Sequence, residues 1–70
     1  APNDRRVKRR ELERHLRAHG CRAIDEGGNH TRWAGPEGAR SVMPRHREIA
    51  YRLARKICGD LGVPPPTGAR

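Results

Sequence analysis

The sequence predicts an α+β sandwich in the order helix, three antiparallel strands, helix. Three observations predict it. Apolar residues recur at helical spacing near both ends, at Leu12 and Leu16 and again at Ile49, Leu53, Ile57 and Leu61. Between them lie three short runs with strand character. Glycine-bearing turns separate the runs, at Gly27-Gly28 and at Gly35-Pro36-Glu37-Gly38, and turns this short join antiparallel neighbours.

Taken in order, residues 1–7 read as a polar, flexible N-terminal extension in which Asp4 is a candidate helix cap and Val7 a possible continuation of the first helix's apolar face. Arg9 to His19 reads as the first helix. Leu12 and Leu16 share one face, Glu13 and Arg17 form an i, i+4 pair in the favourable order, and Gly20 stops the helix. Arg10, Arg14 and Arg17 leave a basic side, ordinarily a solvated face. Cys21 to Glu26 is the first strand, a weak signal carried by Cys21, Ala23 and Ile24. Asn29 to Ala34 is the second. Arg40 to Met43 is the third, ended by Pro44. Residues 44–48 are expected to be a linker. The second helix follows on the stripe Ile49, Leu53, Ile57, Leu61, with Arg52, Arg55 and Lys56 off the stripe. Gly62 and the prolines beyond it stop the helix. Residues 8–63 therefore form the expected single domain, and residues 64–70 a Pro-rich flexible tail. Both helices carry one apolar stripe, so both are expected on one sheet face. This order matches the double-stranded-RNA-binding type of sandwich.

Seventy residues allow one domain, and a chain this small buries only about 60% of its unfolded surface. Aromatics are limited to Trp33 and Tyr51, so Leu, Ile, Val, Met and Ala must supply the core. The net charge is +8, and only Lys8 and Lys56 of the 16 cationic residues are lysines. Arginine forks onto phosphate and sheds water readily. Part of that choice reflects an Arg-rich coding bias, but the net excess favours nucleic acid or an acidic protein partner. A membrane surface fits less well, because no basic helix carries a wide apolar face. Cys21 and Cys58 form no CxxC and read as small buried residues in a reducing compartment. No run is long and apolar enough for a leader or a span, and the expected location is cytoplasmic.

The segment Gly27-Gly28-Asn29-His30-Thr31-Arg32-Trp33 carries the candidate chemistry. On an extended strand His30 and Arg32 point one way, and Thr31 and Trp33 the other. RNA is cut without metal when its own 2′-OH attacks the adjacent phosphorus. An imidazole that titrates near neutrality serves that reaction as base or acid, and Arg32 beside it would hold the developing charge. From the residues alone, an ordinary surface histidine beside a turn is the more frequent meaning of His30. His46, between two arginines, reads as an exposed loop histidine, with a second acid–base group or phosphate ligand as the alternative. Asp25 and Glu26 read as turn-flanking charges rather than partners of His30. Trp33 reads as core rather than as a base-stacking platform. His15, His19 and Cys21 lack a fourth zinc ligand at standard spacing, and no HExxH occurs. Neither cysteine has an adjacent base. No GxGxxG or Walker spacing surrounds the paired glycines.

Four segments in order resemble the HicA family of toxin–antitoxin ribonucleases, over about Lys8 to Pro64. They are Arg10-Glu11-Leu12 at the helix start; Gly20, then Gly28-Asn29-His30, similar to the family's Gly-Ser-His; Met43-Pro44-Arg45-His46-Arg47-Glu48-Ile49, similar to Val-Pro-x-His-x-x-Glu-Ile; and Leu53 to Cys58 ending at Leu61-Gly62-Val63. The resemblance implies the double-stranded-RNA-binding type fold, cleavage of mRNA without a required metal or other cofactor, and a block on translation. It implies that the active histidine is His30; the residues expected to bind RNA or phosphate around it are Gly28, Asn29, Arg32, Arg45, His46 and Arg47. It also implies a HicB-type antitoxin that masks His30, with DNA reached only through that partner. Three positions depart from the family's habit: Asn29 stands for Ser, Thr31 for a frequent second His, and Asp25 for a frequent Arg. The alternative is a non-catalytic RNA-binding module of the same fold. A purely protein-binding role is a third reading.

Overall fold

The computed structural model of the chain describes residues 6–66. Seven elements follow one another: β1 (Arg6–Lys8), α1 (Arg9–Ala18), β2 (Arg22–Asp25), β3 (His30–Ala34), β4 (Arg40–Pro44), β5 (Glu48–Ala50) and α2 (Tyr51–Leu61). The fold is α+β, with two helices and a three-stranded antiparallel sheet in the order β2-β3-β4.

Leu12 and Leu16 bury the apolar side of α1 completely. Glu13 stands between two arginines on the same helix, 3.6 Å from Arg9 Nε and 3.9 Å from Arg17. The helix closes as its sequence predicts: Gly20 has φ +88° and the Cys21 amide donates to the Leu16 carbonyl at 2.9 Å. At the end of α2, Gly62 has φ +80° and the Val63 amide donates to Cys58 O at 2.9 Å. A left-handed residue at this point satisfies carbonyls the helix leaves open, and glycine adopts it without strain.

The three-stranded sheet is a meander. Thr31 pairs with Met43, Arg32 with Val42, and Trp33 with both Ser41 and Ala23. A bulge lies between Ala23 and Asp25 on β2. Trp33 and Met43 are fully buried in one cluster with Leu12 and Leu16 of α1 and Ala54, Ile57, Cys58 and Leu61 of α2. The Arg17 guanidinium sits 5.1 Å from the Trp33 ring centroid, a cation–π distance. Helix α2 packs against β4, where the Ser41 hydroxyl donates to Asp60 at 3.3 Å. Among the described residues no helix is long and apolar enough to cross a membrane.

Three expectations need correction. Residues 6 and 7, expected in a flexible extension, belong to β1, where Val7 is buried. Residues 48 to 50, divided between the expected linker and the second helix, form β5, and Val7 pairs with Ile49 there. Ile49 lies four residues before Leu53 and so imitates a helical stripe. Its neighbour Ala50 is extended, with ψ 138°, and α2 begins only at Tyr51. Strands of three residues are too short to show a period of two, which is why β1 and β5 escape a pattern search. Residues 64–66, expected to open a flexible tail, are held to both helices: His15 Nε2 donates to Pro64 O at 2.8 Å and the Tyr51 hydroxyl to Pro66 O at 3.2 Å. The rest of the expected extension, including Asp4, and the end of the expected tail lie outside the described residues.

Two predictions follow from the packing. A Cβ added at Gly35 collides with the Leu61 carbonyl. Gly35→Ala should therefore cost about 1–3 kcal/mol, the usual penalty for overpacking a fixed contact. Urea unfolding should show a lower midpoint at unchanged slope; a midpoint equal to the parent's refutes the contact. Burial, helped by neighbouring Cys21, pushes the Cys58 thiol from 9.0 up to about 11. Above pH 9 the unfolded chain loses a proton that the native chain keeps. This source of stability is thus intact below pH 9 and lost as the pH climbs toward 11. Cys58→Ala should flatten that decline in stability measured against pH; an identical decline assigns it to other groups.

Candidate functional site

Strand β3 presents two opposed sets of side chains. Thr31 and Trp33 are buried, while His30 and Arg32 are exposed. The alternation is the pleat of a strand with one apolar face, and the large indole fixes which face turns inward. His30 opens the strand, opposite Pro44 on β4.

The turn before His30 is held from both sides. Asp25 Oδ1 accepts the Gly27 amide at 3.1 Å, an Asx-type turn contact. Gly28 has φ +62°, which a side chain there would resist. Across the sheet, Arg45 Nη1 reaches toward the carbonyls of Glu26 and Gly28, at 3.4 and 3.5 Å. The Arg45 amide donates to Asn29 O at 3.1 Å. Asp25 Oδ2 also stands 4.0 Å from Arg32 Nε. That pair is largely solvent-exposed, so its attraction is screened and worth little to stability. Its effect is local: it neutralises part of the charge beside His30 and biases the guanidinium toward β2.

Asp25, Gly27, His30, Arg32 and Val42 line an open depression of about 460 Å³. An imidazole and a guanidinium thus face one solvent-filled space on the side opposite the core. Val42 is 47% exposed and gives this space an apolar wall. The imidazole suits proton transfer and the guanidinium suits an anion.

A second and larger space lies where the β4–β5 connection meets the start of α1. It is a cleft of about 600 Å³ lined by Lys8, Arg9, Arg10, Arg45, Arg47 and Glu48. The expected phosphate contacts therefore fall into two groups. Arg32 stands with His30, and Arg47 stands in the cleft. Arg45 belongs to the cleft and also braces the turn that carries Gly28 and Asn29. His46 is exposed and lines neither space. The rings of His15 and His19 lie 4.5 Å apart, and among the described residues no group of three or more His, Cys, Asp or Glu is placed to hold a metal.

Sequence reasoning missed Val42 and the cleft contributions of Lys8, Arg9 and Arg10. Val42 was open to inference, since it neighbours Met43 on a strand and must face the other way if Met43 is core. The three N-terminal cations carried no such signal. Only the fold places them beside a loop more than thirty residues later in the chain.

A family model described as HicA toxin of bacterial toxin-antitoxin matches residues 9–63. No curated protein and no solved structure matches the chain.

The turn geometry separates two roles of Asp25. Asp25→Asn keeps an acceptor for the Gly27 amide, whereas Asp25→Ala removes it. Stability should stay within about 0.5 kcal/mol for the first and fall by about 1 kcal/mol for the second. Amide exchange at Gly27 should accelerate only in Asp25→Ala. Equal exchange in the two variants removes the turn contact from the account.

Proposed function

The chain belongs to the HicA toxin family, and from that membership we propose that this toxin of a toxin–antitoxin system acts as a metal-independent endoribonuclease on mRNA. The observation that carries the reading is His30, exposed beside Arg32 on the face of β3 turned away from Trp33. The activity resides in the single domain of residues 8–63, to which Val7 adds a buried contact.

The reaction asks three things of the protein. A base must take the proton of the ribose 2′-OH, so that its oxygen attacks the adjacent phosphorus. Positive charge must meet the extra negative charge of the pentacoordinate state. An acid must protonate the 5′-oxygen as the P–O5′ bond breaks. His30 in its neutral form takes the 2′-OH proton and, as imidazolium, returns a proton to the departing oxygen. Arg32 faces the same depression and supplies charge to the phosphoryl oxygens. Gly28 and Asn29 place backbone beside the strand's path, and His46 and Arg47 meet flanking phosphate. The products are a 2′,3′-cyclic phosphate and a 5′-hydroxyl. A single imidazole serving twice fits a toxin whose effect depends on a few cuts rather than on high turnover.

A HicB-type antitoxin neutralises the toxin by covering the open face of the sheet. The net charge of +8 supports attraction to an acidic cover as well as to RNA. DNA is reached only through that complex. The site of action is the cytoplasm, where mRNA is translated.

Purified protein should cut RNA in the presence of EDTA and leave cyclic phosphate ends. His30→Ala should slow cutting by roughly a hundred-fold or more, the usual weight of a general acid–base group. A substrate carrying 2′-deoxyribose at the scissile nucleotide should stay intact. Unchanged cutting by His30→Ala defeats the assignment, and RNA binding without any cutting leaves a non-catalytic RNA-binding module.

A further inference from the structure

We propose that the cleft of Lys8, Arg9, Arg10, Arg45 and Arg47 holds the sugar–phosphate backbone of the RNA strand beside the bond that His30 cuts. The proposal rests on the ribonuclease reading of His30 and adds to it a separate binding track on another part of the fold.

Charge comes first. Among the described residues, five cations and one carboxylate line this space of about 600 Å³. The carboxylate, Glu48, lies 3.9 Å from Arg6, so its charge is partly offset from outside the cleft. Lys8, Arg10 and Arg47 are exposed. A polyanion with regularly spaced charges meets such a surface without needing apolar contact.

The walls are fixed in place. The Arg9 amide donates to Arg47 O at 2.8 Å, and Arg9 Nη1 donates to Arg45 O at 2.8 Å. Glu13 stands 3.6 Å from Arg9 Nε. The start of α1 and the β4–β5 connection are therefore laced together. The Val7–Ile49 pair of the small β1–β5 sheet lies buried beneath them. Pre-set walls lower the ordering cost of binding.

Arg45 joins the cleft to the reaction site. It lines the cleft, and its guanidinium reaches the carbonyls of Glu26 and Gly28 in the turn that leads into His30. A strand lying in the cleft is thereby directed past the turn toward the imidazole. An acidic protein segment is the competing occupant. Among the described residues no apolar side chain lines the cleft, which disfavours it, because stable protein interfaces centre on apolar and aromatic anchors.

The test uses the full chain and a short 2′-O-methyl oligoribonucleotide, which lacks the attacking hydroxyl and cannot be cut. Binding is followed by fluorescence anisotropy over a range of salt concentrations. The triple variant Lys8→Gln/Arg10→Gln/Arg47→Gln should bind at least ten-fold more weakly. Its slope of log affinity against log salt should fall by about two, since each phosphate contact to a single strand contributes about 0.7. A control, Arg14→Gln/Arg52→Gln/Arg55→Gln, removes equal charge elsewhere and should keep most of the slope. On cleavable RNA the cleft variant should raise KM and keep kcat within a few-fold, whereas His30→Ala should lose kcat and keep affinity and slope. If the triple variant fails to fold, Arg10→Gln/Arg47→Gln should still lower the slope by more than one. Equal slopes in the cleft and control variants overturn the track while leaving the His30 reading standing. So does a cleft variant that keeps RNA affinity but loses the antitoxin. Cutting by His30→Ala at the parental rate, with the cleft effect intact, overturns the His30 reading alone.

Discussion

Trp33 is buried in the cluster that the sheet shares with residues of both helices, with the Arg17 guanidinium 5.1 Å from its ring. In a chain with one tryptophan, one tyrosine and no phenylalanine, this indole is the largest apolar group available to organise a core. Aromatic burial of this size dominates local energetics. A strand has only two faces, so committing Trp33 and Thr31 to the interior commits His30 and Arg32 to solvent. The orientation of the site is a consequence of where the core's largest residue must go.

The second constraint is the lacing of chain segments remote in sequence. Arg9 and Arg45 are the two tie points. Arg9 holds the β4–β5 connection through its amide and its guanidinium, and Arg45 carries the tie onward to the turn before His30. These contacts lie near the surface, and each alone contributes modestly. Together they tie the turn, the connection and the start of α1 to one another. Arginine suits the task because its planar head can brace two carbonyls and still present donors outward.

The cationic surface is thus divided by place. Arg32 stands over the depression with His30, and Asp25 tempers its charge. The larger reserve of positive charge sits in the cleft, away from the imidazole. The proposed nuclease activity would gain from this separation. Contacts made equally with substrate and transition state improve capture, whereas contacts at the reacting phosphate raise the rate. In the proposed reading, an antitoxin could silence the toxin by covering this open sheet face, where His30 and Arg32 lie together.

Some of this was fixed by local chemistry that a reader of the sequence can follow. Leu12 and Leu16 name a buried helical face, Gly20 and Gly62 end the helices, and the Gly28 and Gly38 turns fold the meander. The alternation from His30 to Trp33 exposes the imidazole. Each depends on residues a few positions apart, so the physics is contained in the local string. What tertiary structure alone decided is the β1–β5 pairing and the cleft above it. Val7 is a single apolar residue in a polar stretch, and Ile49 mimics a helical position. Neither declares a strand until the other arrives more than forty residues away. Lys8, Arg9 and Arg10 become one surface with Arg47 through that same long-range pairing. Periodicity records only which side of its own element a residue occupies, and it carries no term for what another element brings alongside.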